Sequence, residues 1–256
     1  MSRRRKPAAA ARKATPTARV PTAPRRLQAI DALRGSAVCA MIAYHFAFDL
    51  NWFGVLHADF NHDALWLSLR AVIVSSFMLL VGISLVLAQR AGIGAARYWR
   101  RIGLIAACAL LVTAASYVTF PQTFITFGIL HCIALASLLA WPFARHPLAA
   151  LGTGLAIVAI GLQVSLPLFD ARWLNWIGLM THKPPTEDYV PVFPRLGVVL
   201  IGIAAGAWLG ERGFEPLQPV ARIAPPWLNW LGRHSLLVYM VHQPLLLGVM
   251  RVVLPH

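Results

Sequence analysis

Four ionisable side chains lie on one face of the first apolar segment of this chain. Asp31, Arg34, His45 and Asp49 fall within a stripe roughly 60° wide if the segment is a helix that turns about 100° per residue. His45 and Asp49 are four residues apart, so their side chains can meet on the helix surface. An imidazole that is oriented by a carboxylate can act as a general base. The stripe therefore predicts a catalytic site, and a buried His–Asp pair that only packs helices is the alternative.

The composition indicates that these charges lie inside a membrane. Of the 256 residues, 58% are hydrophobic and 12% are charged, and the mean hydropathy is +0.64. A soluble domain carries about 25% charged residues. Ionisable groups in a bilayer cost several kcal/mol unless they are paired or wetted, so four of them on one face favour a functional site over packing.

Seven apolar segments are long enough to span a bilayer, for which about 20 residues are needed. We therefore expect an all-α, polytopic membrane protein with seven transmembrane helices. A short eighth helix in the proline-rich stretch 213–230 is the alternative to an inside loop there. The predicted spans are 32–54, 65–88, 101–119, 124–142, 147–168, 193–210 and 232–253.

The distribution of basic residues predicts the topology. The net charge is +14, but ten of the 23 Lys and Arg residues lie before residue 35 and most others lie in short loops. This pattern follows the positive-inside rule and argues against a nucleic-acid partner. It predicts a cytoplasmic N-terminus, an extracytoplasmic C-terminus, and a disordered basic tail over 1–26 that lies on the lipid bilayer ahead of a membrane domain over 27–256.

Further polar residues at similar depth predict a cavity between the helices. Arg70 enters the second span, His131 the fourth, and Tyr239 and His242 lie in the last. Each alone is explained by a hydrogen bond between helices. Together they are candidates to bind an acceptor or to stabilise an oxyanion.

Two loops add candidate sites. Arg97, Arg100 and Arg101 lie in an inside loop and can hold phosphate oxygens, although topology and lipid headgroups alone explain such a cluster. His57 begins an outside stretch with two aspartates and a second histidine, which favours a polar mouth for a substrate over a metal site. We predict no bound metal.

The sequence from Ile30-Asp31-Ala32-Leu33-Arg34-Gly35 to His45 resembles the transmembrane acyltransferase superfamily. This superfamily includes the acyltransferase-3 proteins and the heparan-α-glucosaminide N-acetyltransferase catalytic domain. The closer resemblance is to small bacterial members of the latter, an otherwise uncharacterised domain family. Supporting segments are Phe127–His131 and Trp230–Leu237 with His242-Gln243-Pro244, and the resemblance covers about 27–253.

The resemblance implies a multi-pass enzyme of the bacterial cytoplasmic membrane. Acetyl-coenzyme A, or another acyl-coenzyme A, would be a co-substrate from the cytosol and not a permanently bound cofactor. The acceptor would be a hydroxyl or amine of a cell-envelope glycan or other small molecule on the far side. The resemblance leaves the oligomeric state open.

The resemblance also assigns roles to residues. Arg34 and His45 match the catalytic arginine and histidine of the acyltransferase-3 proteins. Arg97 and Arg100 resemble the Arg-x-x-Arg motif of those proteins. In the heparan enzyme the essential histidine lies at the end of the first span, in a context that resembles the surroundings of His57. We favour His45 because of its depth and its neighbour Asp49.

Two other functions remain open from the sequence. A small proton-coupled transporter also uses histidine and aspartate residues in the membrane, although no internal repeat is found. A non-catalytic membrane assembly protein with a relict site is the third alternative.

Overall fold

The structure, a computed structural model, describes residues 25–254, and these confirm an all-α fold without strands. The predicted basic tail lies outside the described residues, apart from its last two, where the first helix begins. The helices in this range are α1 (Arg25–Trp52), α2 (Ala64–Arg90), α3 (Ala95–Thr119), α4 (Ile129–Ala140), α5 (Pro147–Gln163), α6 (Val192–Glu211), α7 (Gln218–Ile223), α8 (Pro226–Arg233) and α9 (Ser235–Val253).

The structure does not confirm that the chain has seven membrane-spanning helices. Four of the described helices, α2, α3, α6 and α9, are both long and apolar enough to cross a membrane, which supports a multi-pass membrane protein. Helix α1 has 28 residues, but its charged stripe lowers its hydropathy. Helices α4 and α5 have 12 and 17 residues, or about 18 and 26 Å of helix, against a hydrocarbon core of about 30 Å.

The bundle has two chemically different ends. The basic end comprises the start of α1, loop 91–94, turn 141–146 and segment 212–234; the acidic end comprises loops 53–63, 120–128 and 164–191. At the acidic end, the backbone N–H of Glu187 donates to the carbonyl of Thr123 at 3.0 Å. At the basic end, the Arg90 guanidinium donates to the Ala207 carbonyl at 3.1 Å. At each end, parts of the chain that the charge pattern assigned to the same side thus meet one another.

The segment before the last span differs from the prediction. The stretch 213–230, predicted as a loop, contains α7 and most of α8, so the alternative of a short extra helix is correct. The helix breaks at His234, and the last span begins at Ser235 and not at 232. Helix α8 packs closely on α1 because Gly232 has no side chain: a Cβ there would collide with the backbone of Asp31.

Helices α2 and α6 approach each other through glycines. A Cβ on Gly202 would collide with the carbonyl of Leu79, whereas a Cβ on Gly152 of α5 would meet nothing within 4 Å. Small residues let membrane helices approach closely, since packing is their main source of attraction.

We therefore expect Gly202→Leu to lower the melting temperature of the purified protein by several degrees, measured by thermal unfolding in detergent. Gly152→Leu is the matched control, and an equal loss in both variants would contradict this packing.

Candidate active site

A cavity of about 670 Å³ lies between α1, α2, α3, α4, α8 and α9. It extends from Ile93 at the basic end to Ile129, the first residue of α4, toward the acidic end. Its walls are mostly apolar, with a few polar side chains. The charged and aromatic-hydroxyl groups that line it are Asp31, Arg34, Arg101, Arg233 and Tyr239. A large apolar cavity with a few convergent polar groups is typical of a ligand site.

Arg34 is held rigidly at the wall of this cavity. Its guanidinium donates to the Asp31 carboxylate at 3.2 Å, to the Ser84 hydroxyl at 2.9 Å and to the Gly232 carbonyl at 3.5 Å. Asp31 lies one helical turn before Arg34, so the charged stripe of α1 supplies its own ion pair. The sequence did not identify Ser84, whose role depends on the packing of α2 against α1.

Arg101 faces the cavity, whereas Arg97 and Arg100 do not. The reason is the buried Tyr98, whose hydroxyl donates to the carbonyl of Ser137 at 2.8 Å. It fixes the rotation of α3, and Arg101, three residues later, lies near the same face. The side chains of Arg97 and Arg100 are exposed, and their guanidinium groups donate to no described residue. Of the three arginines predicted to bind phosphate, only Arg101 lines the cavity.

A second polar group lies where α1 meets α9. The Gln243 amide donates to Asp49 Oδ1 at 2.7 Å, and the ring of His45 lies edge-on to that of His242, with centroids 5.1 Å apart. The predicted hydrogen-bonded pair of His45 and Asp49 is wrong, because Asp49 turns to α9. Asp49 is only 2% exposed. We call these four residues the histidine cluster.

Three buried atoms of the histidine cluster have no hydrogen-bond partner among the described residues: Asp49 Oδ2, His242 Nε2 and Gln243 Oε1. Nδ1 of His242 lies 2.6 Å from the carbonyl of Tyr239, so that nitrogen carries the hydrogen and Nε2 is an acceptor. All three unsatisfied atoms are therefore acceptors. Such atoms are costly when buried, and a ligand that supplies O–H or N–H groups would satisfy them.

Tyr239 connects the cavity with the histidine cluster. It lines the cavity, and its ring centroid lies 5.5 Å from that of His242, which contacts His45 in turn. The predicted site residues on α1 and α9 thus form a continuous row from the arginine-lined cavity to Asp49.

His131 does not join this row, contrary to the prediction of a shared cavity. Its Nδ1 accepts from the N–H of Gly128 at 3.2 Å and so caps the start of α4. Its Nε2 lies 3.3 Å from the hydroxyl of Thr113, which donates to the carbonyl of Ile125 at 2.7 Å. Both ring nitrogens are therefore engaged in structural hydrogen bonds.

His57 also lies apart from the histidine cluster. It is exposed in loop 53–63 and makes no hydrogen bond to a described residue. Asp59, nearby, accepts from Nδ1 of His62 at 2.8 Å, which lowers the pKa of the Asp59 carboxyl. Asp63 caps α2 by accepting from the N–H of Leu65. These aspartates stabilise the loop and the helix start, and a catalytic role for His57 stays a prediction.

Asp188 is a half-buried polar residue of loop 164–191. Its Oδ2 accepts from the N–H of Ile129 at 3.0 Å, and the hydroxyl of Tyr239 also donates to it. Burial raises the pKa of the Asp188 carboxyl. The carboxylate fits here because residue 128 is glycine; a Cβ on Gly128 would collide with it. Asp188 thus connects loop 164–191 with Tyr239. Both of its partners, Ile129 and Tyr239, are distant in sequence, so no local sequence pattern could predict these contacts.

These features define a class: a multi-pass helical membrane protein with an arginine-lined cavity and buried histidines. The chain belongs to the family of heparan-alpha-glucosaminide N-acetyltransferase catalytic domains, whose family model matches residues 26–244. The match includes Arg34, Arg101 and the histidine cluster, and it confirms the resemblance to this family. Comparisons with curated proteins and with solved structures find no match. The wider relation to acyltransferase-3 stays a prediction.

Proposed function

We propose that the protein is a membrane acetyltransferase that moves the acyl group of an acyl-coenzyme A to a hydroxyl or amine acceptor. The family points to acetyl transfer, and one observation carries the assignment of the two substrates. The arginine-lined cavity ends at Tyr239, directly beside a buried histidine cluster with unsatisfied acceptor atoms. The donor would occupy the cavity, and the acceptor would bind at the histidine cluster.

The charges of the cavity suit the phosphates of coenzyme A. Arg34, Arg101 and Arg233 face one carboxylate, Asp31, so positive charge is in excess. Guanidinium groups match phosphate oxygens in shape and hydrogen bonding. The apolar walls between Arg101 and Tyr239 suit the pantetheine arm, which would carry the thioester toward the histidine cluster.

The histidine cluster suits an acceptor with O–H or N–H groups. Asp49 Oδ2 and Gln243 Oε1 would accept hydrogen bonds from the acceptor molecule. His45 would remove the proton from the attacking hydroxyl or amine as its oxygen or nitrogen bonds to the thioester carbonyl carbon. The carbon–sulfur bond then breaks, and the thiolate takes the proton from the His45 imidazolium. An alternative is that His45 accepts the acyl group first.

The basic end of the bundle would face the cytoplasm, following the positive-inside rule. Coenzyme A would then enter from the cytosol, and the acceptor, a cell-envelope glycan or another small molecule, from the opposite side. The membrane would be the cytoplasmic membrane of a bacterium. In that orientation the path from Arg34 to Asp49 crosses the membrane from donor to acceptor.

The test is acetyl transfer by the purified protein in detergent, with radiolabelled acetyl-coenzyme A. We expect coenzyme A thiol to be released and label to appear on glucosamine or glucose, one offering an amine and the other only hydroxyls. Labelled free acetate is the control, since it lacks the thioester. A proton-coupled transporter would release no thiol, and such a result with a folded protein would overturn the proposal.

A further inference from the structure

Three cations meet at the acidic end, beside the histidine cluster. Arg70 comes from α2, Lys183 from loop 164–191 and Arg195 from α6. Arg195 Nη1 donates to the hydroxyl of Ser75, one and a half turns after Arg70 on the same helix, at 3.1 Å. Lys183 and Arg195 both lie within range of the charge of Arg70. We call these three residues the outer cation cluster.

Two carboxylates face the outer cation cluster, and both are already engaged. Glu187 accepts from the hydroxyl of Thr123 at 2.5 Å, and Asp188 accepts from the N–H of Ile129 and the hydroxyl of Tyr239. Three cations against two carboxylates leave one positive charge in excess. Arg70 and Arg195 are half-buried, and like charges that are partly withdrawn from water repel one another, so an anion between them would be favoured.

The donors of the outer cation cluster are poorly used within the protein. The guanidinium of Arg70 makes no hydrogen bond to any described residue, and Nε of Arg195 is buried with no partner among them. Lys183 Nζ makes only a long contact of 3.5 Å with Asn61. Burial, and after it the charge of Arg70, lowers the pKa of Lys183. An anion would satisfy these donors and relieve the repulsion.

The outer cation cluster lies against both elements of the proposed acceptor site. Tyr44, whose ring is 6.1 Å from that of His45, lies within range of the charge of Arg70. Asp188 binds Tyr239, which holds His242 through its carbonyl. A ligand seated at the histidine cluster would therefore extend toward Arg70.

We propose that Arg70, Lys183 and Arg195 bind an anionic group, a carboxylate or a phosphate, of a soluble acceptor. The acceptor would place its hydroxyl or amine at Asp49 and its negative charge at Arg70. That this ligand is the acceptor rests on the proposed function, but binding of the anion does not require catalysis. A planar guanidinium at Arg70 favours a ligand with two oxygens on one centre.

The test is binding of glucuronate, with glucose as the uncharged control, to the full chain in phosphatidylcholine nanodiscs. We expect glucuronate to bind at least about tenfold more tightly than glucose, since charge-assisted hydrogen bonds are the strong ones. Arg70→Gln and Arg195→Gln should each abolish most of that difference, as followed by isothermal titration calorimetry. Thermal unfolding of each variant shows that it is folded.

Arg97→Gln is the matched control, because it removes an exposed arginine at the basic end. An equal affinity for glucuronate and glucose would overturn the proposal, and so would a loss confined to Arg101→Gln, which would place the anion in the arginine-lined cavity. Loss of glucuronate binding in phosphatidylglycerol nanodiscs would assign the cluster to lipid headgroups instead. Failure of the proposed function would appear separately, as absent release of coenzyme A thiol.

Discussion

Replacing His45 by alanine is expected to reduce acetyl transfer at least about 100-fold, the lower range of general-base catalysis. His45 lies at the meeting of α1 and α9, beside His242 and one turn from Asp49, where the acceptor would be deprotonated. Its imidazole makes no hydrogen bond to a described residue, so both ring nitrogens are open to a substrate. The measurement is the initial rate of label transfer from acetyl-coenzyme A, with thermal unfolding to show an intact fold.

His57→Ala is the matched control for that experiment. His57 is exposed in loop 53–63 and lies outside the row that joins the cavity to Asp49. We expect its loss to change the rate less than about twofold, as for an exposed residue remote from the chemistry. Full activity in His45→Ala together with loss in His57→Ala would reverse the ranking of the two histidines.

Arg101→Gln is expected to weaken the binding of coenzyme A by about tenfold or more, the loss of one charge-assisted hydrogen bond. The exposed guanidinium of Arg101 lines the cavity and donates to no described residue, so its substitution breaks no hydrogen bond of the fold. Arg34 is a poorer choice, because its bonds to Asp31, Ser84 and Gly232 hold three helices together. The dissociation constant from isothermal titration calorimetry is the readout.

Arg97→Gln should leave that dissociation constant unchanged, since Arg97 is exposed outside the cavity. The two variants remove the same charge from the same helix, so general electrostatic attraction of coenzyme A affects both alike. Equal weakening in Arg97→Gln and Arg101→Gln would indicate surface attraction and contradict binding in the cavity.

The sequence predicts the features that depend on local patterns. Apolar runs gave the helices, and the charged stripe of α1 gave Arg34, His45 and Asp49 on one face. The alternation of basic and acidic loops matched the two ends of the bundle. Tyr239 and His242, three residues apart on α9, follow from helical periodicity in the same way.

The remaining features depend on which distant groups approach each other. Asp49 has His45 within reach on its own helix, but the amide of Gln243 reaches it from α9. His131, predicted to bind an acceptor or to stabilise an oxyanion, caps the start of α4. Asp188 reaches its partners on α4 and α9 only because loop 164–191 folds back onto these helices. Partners set by tertiary packing leave no spacing that a single sequence displays.

The most direct test of the proposed function is the structure of the full chain with coenzyme A bound, determined by electron cryomicroscopy. We expect the phosphates within hydrogen-bonding distance of Arg34, Arg101 and Arg233, and the thiol beyond the apolar walls, close to Tyr239 and the histidine cluster. Phosphates on the exposed Arg97 and Arg100, with the thiol outside the cavity, would contradict the path from donor to acceptor.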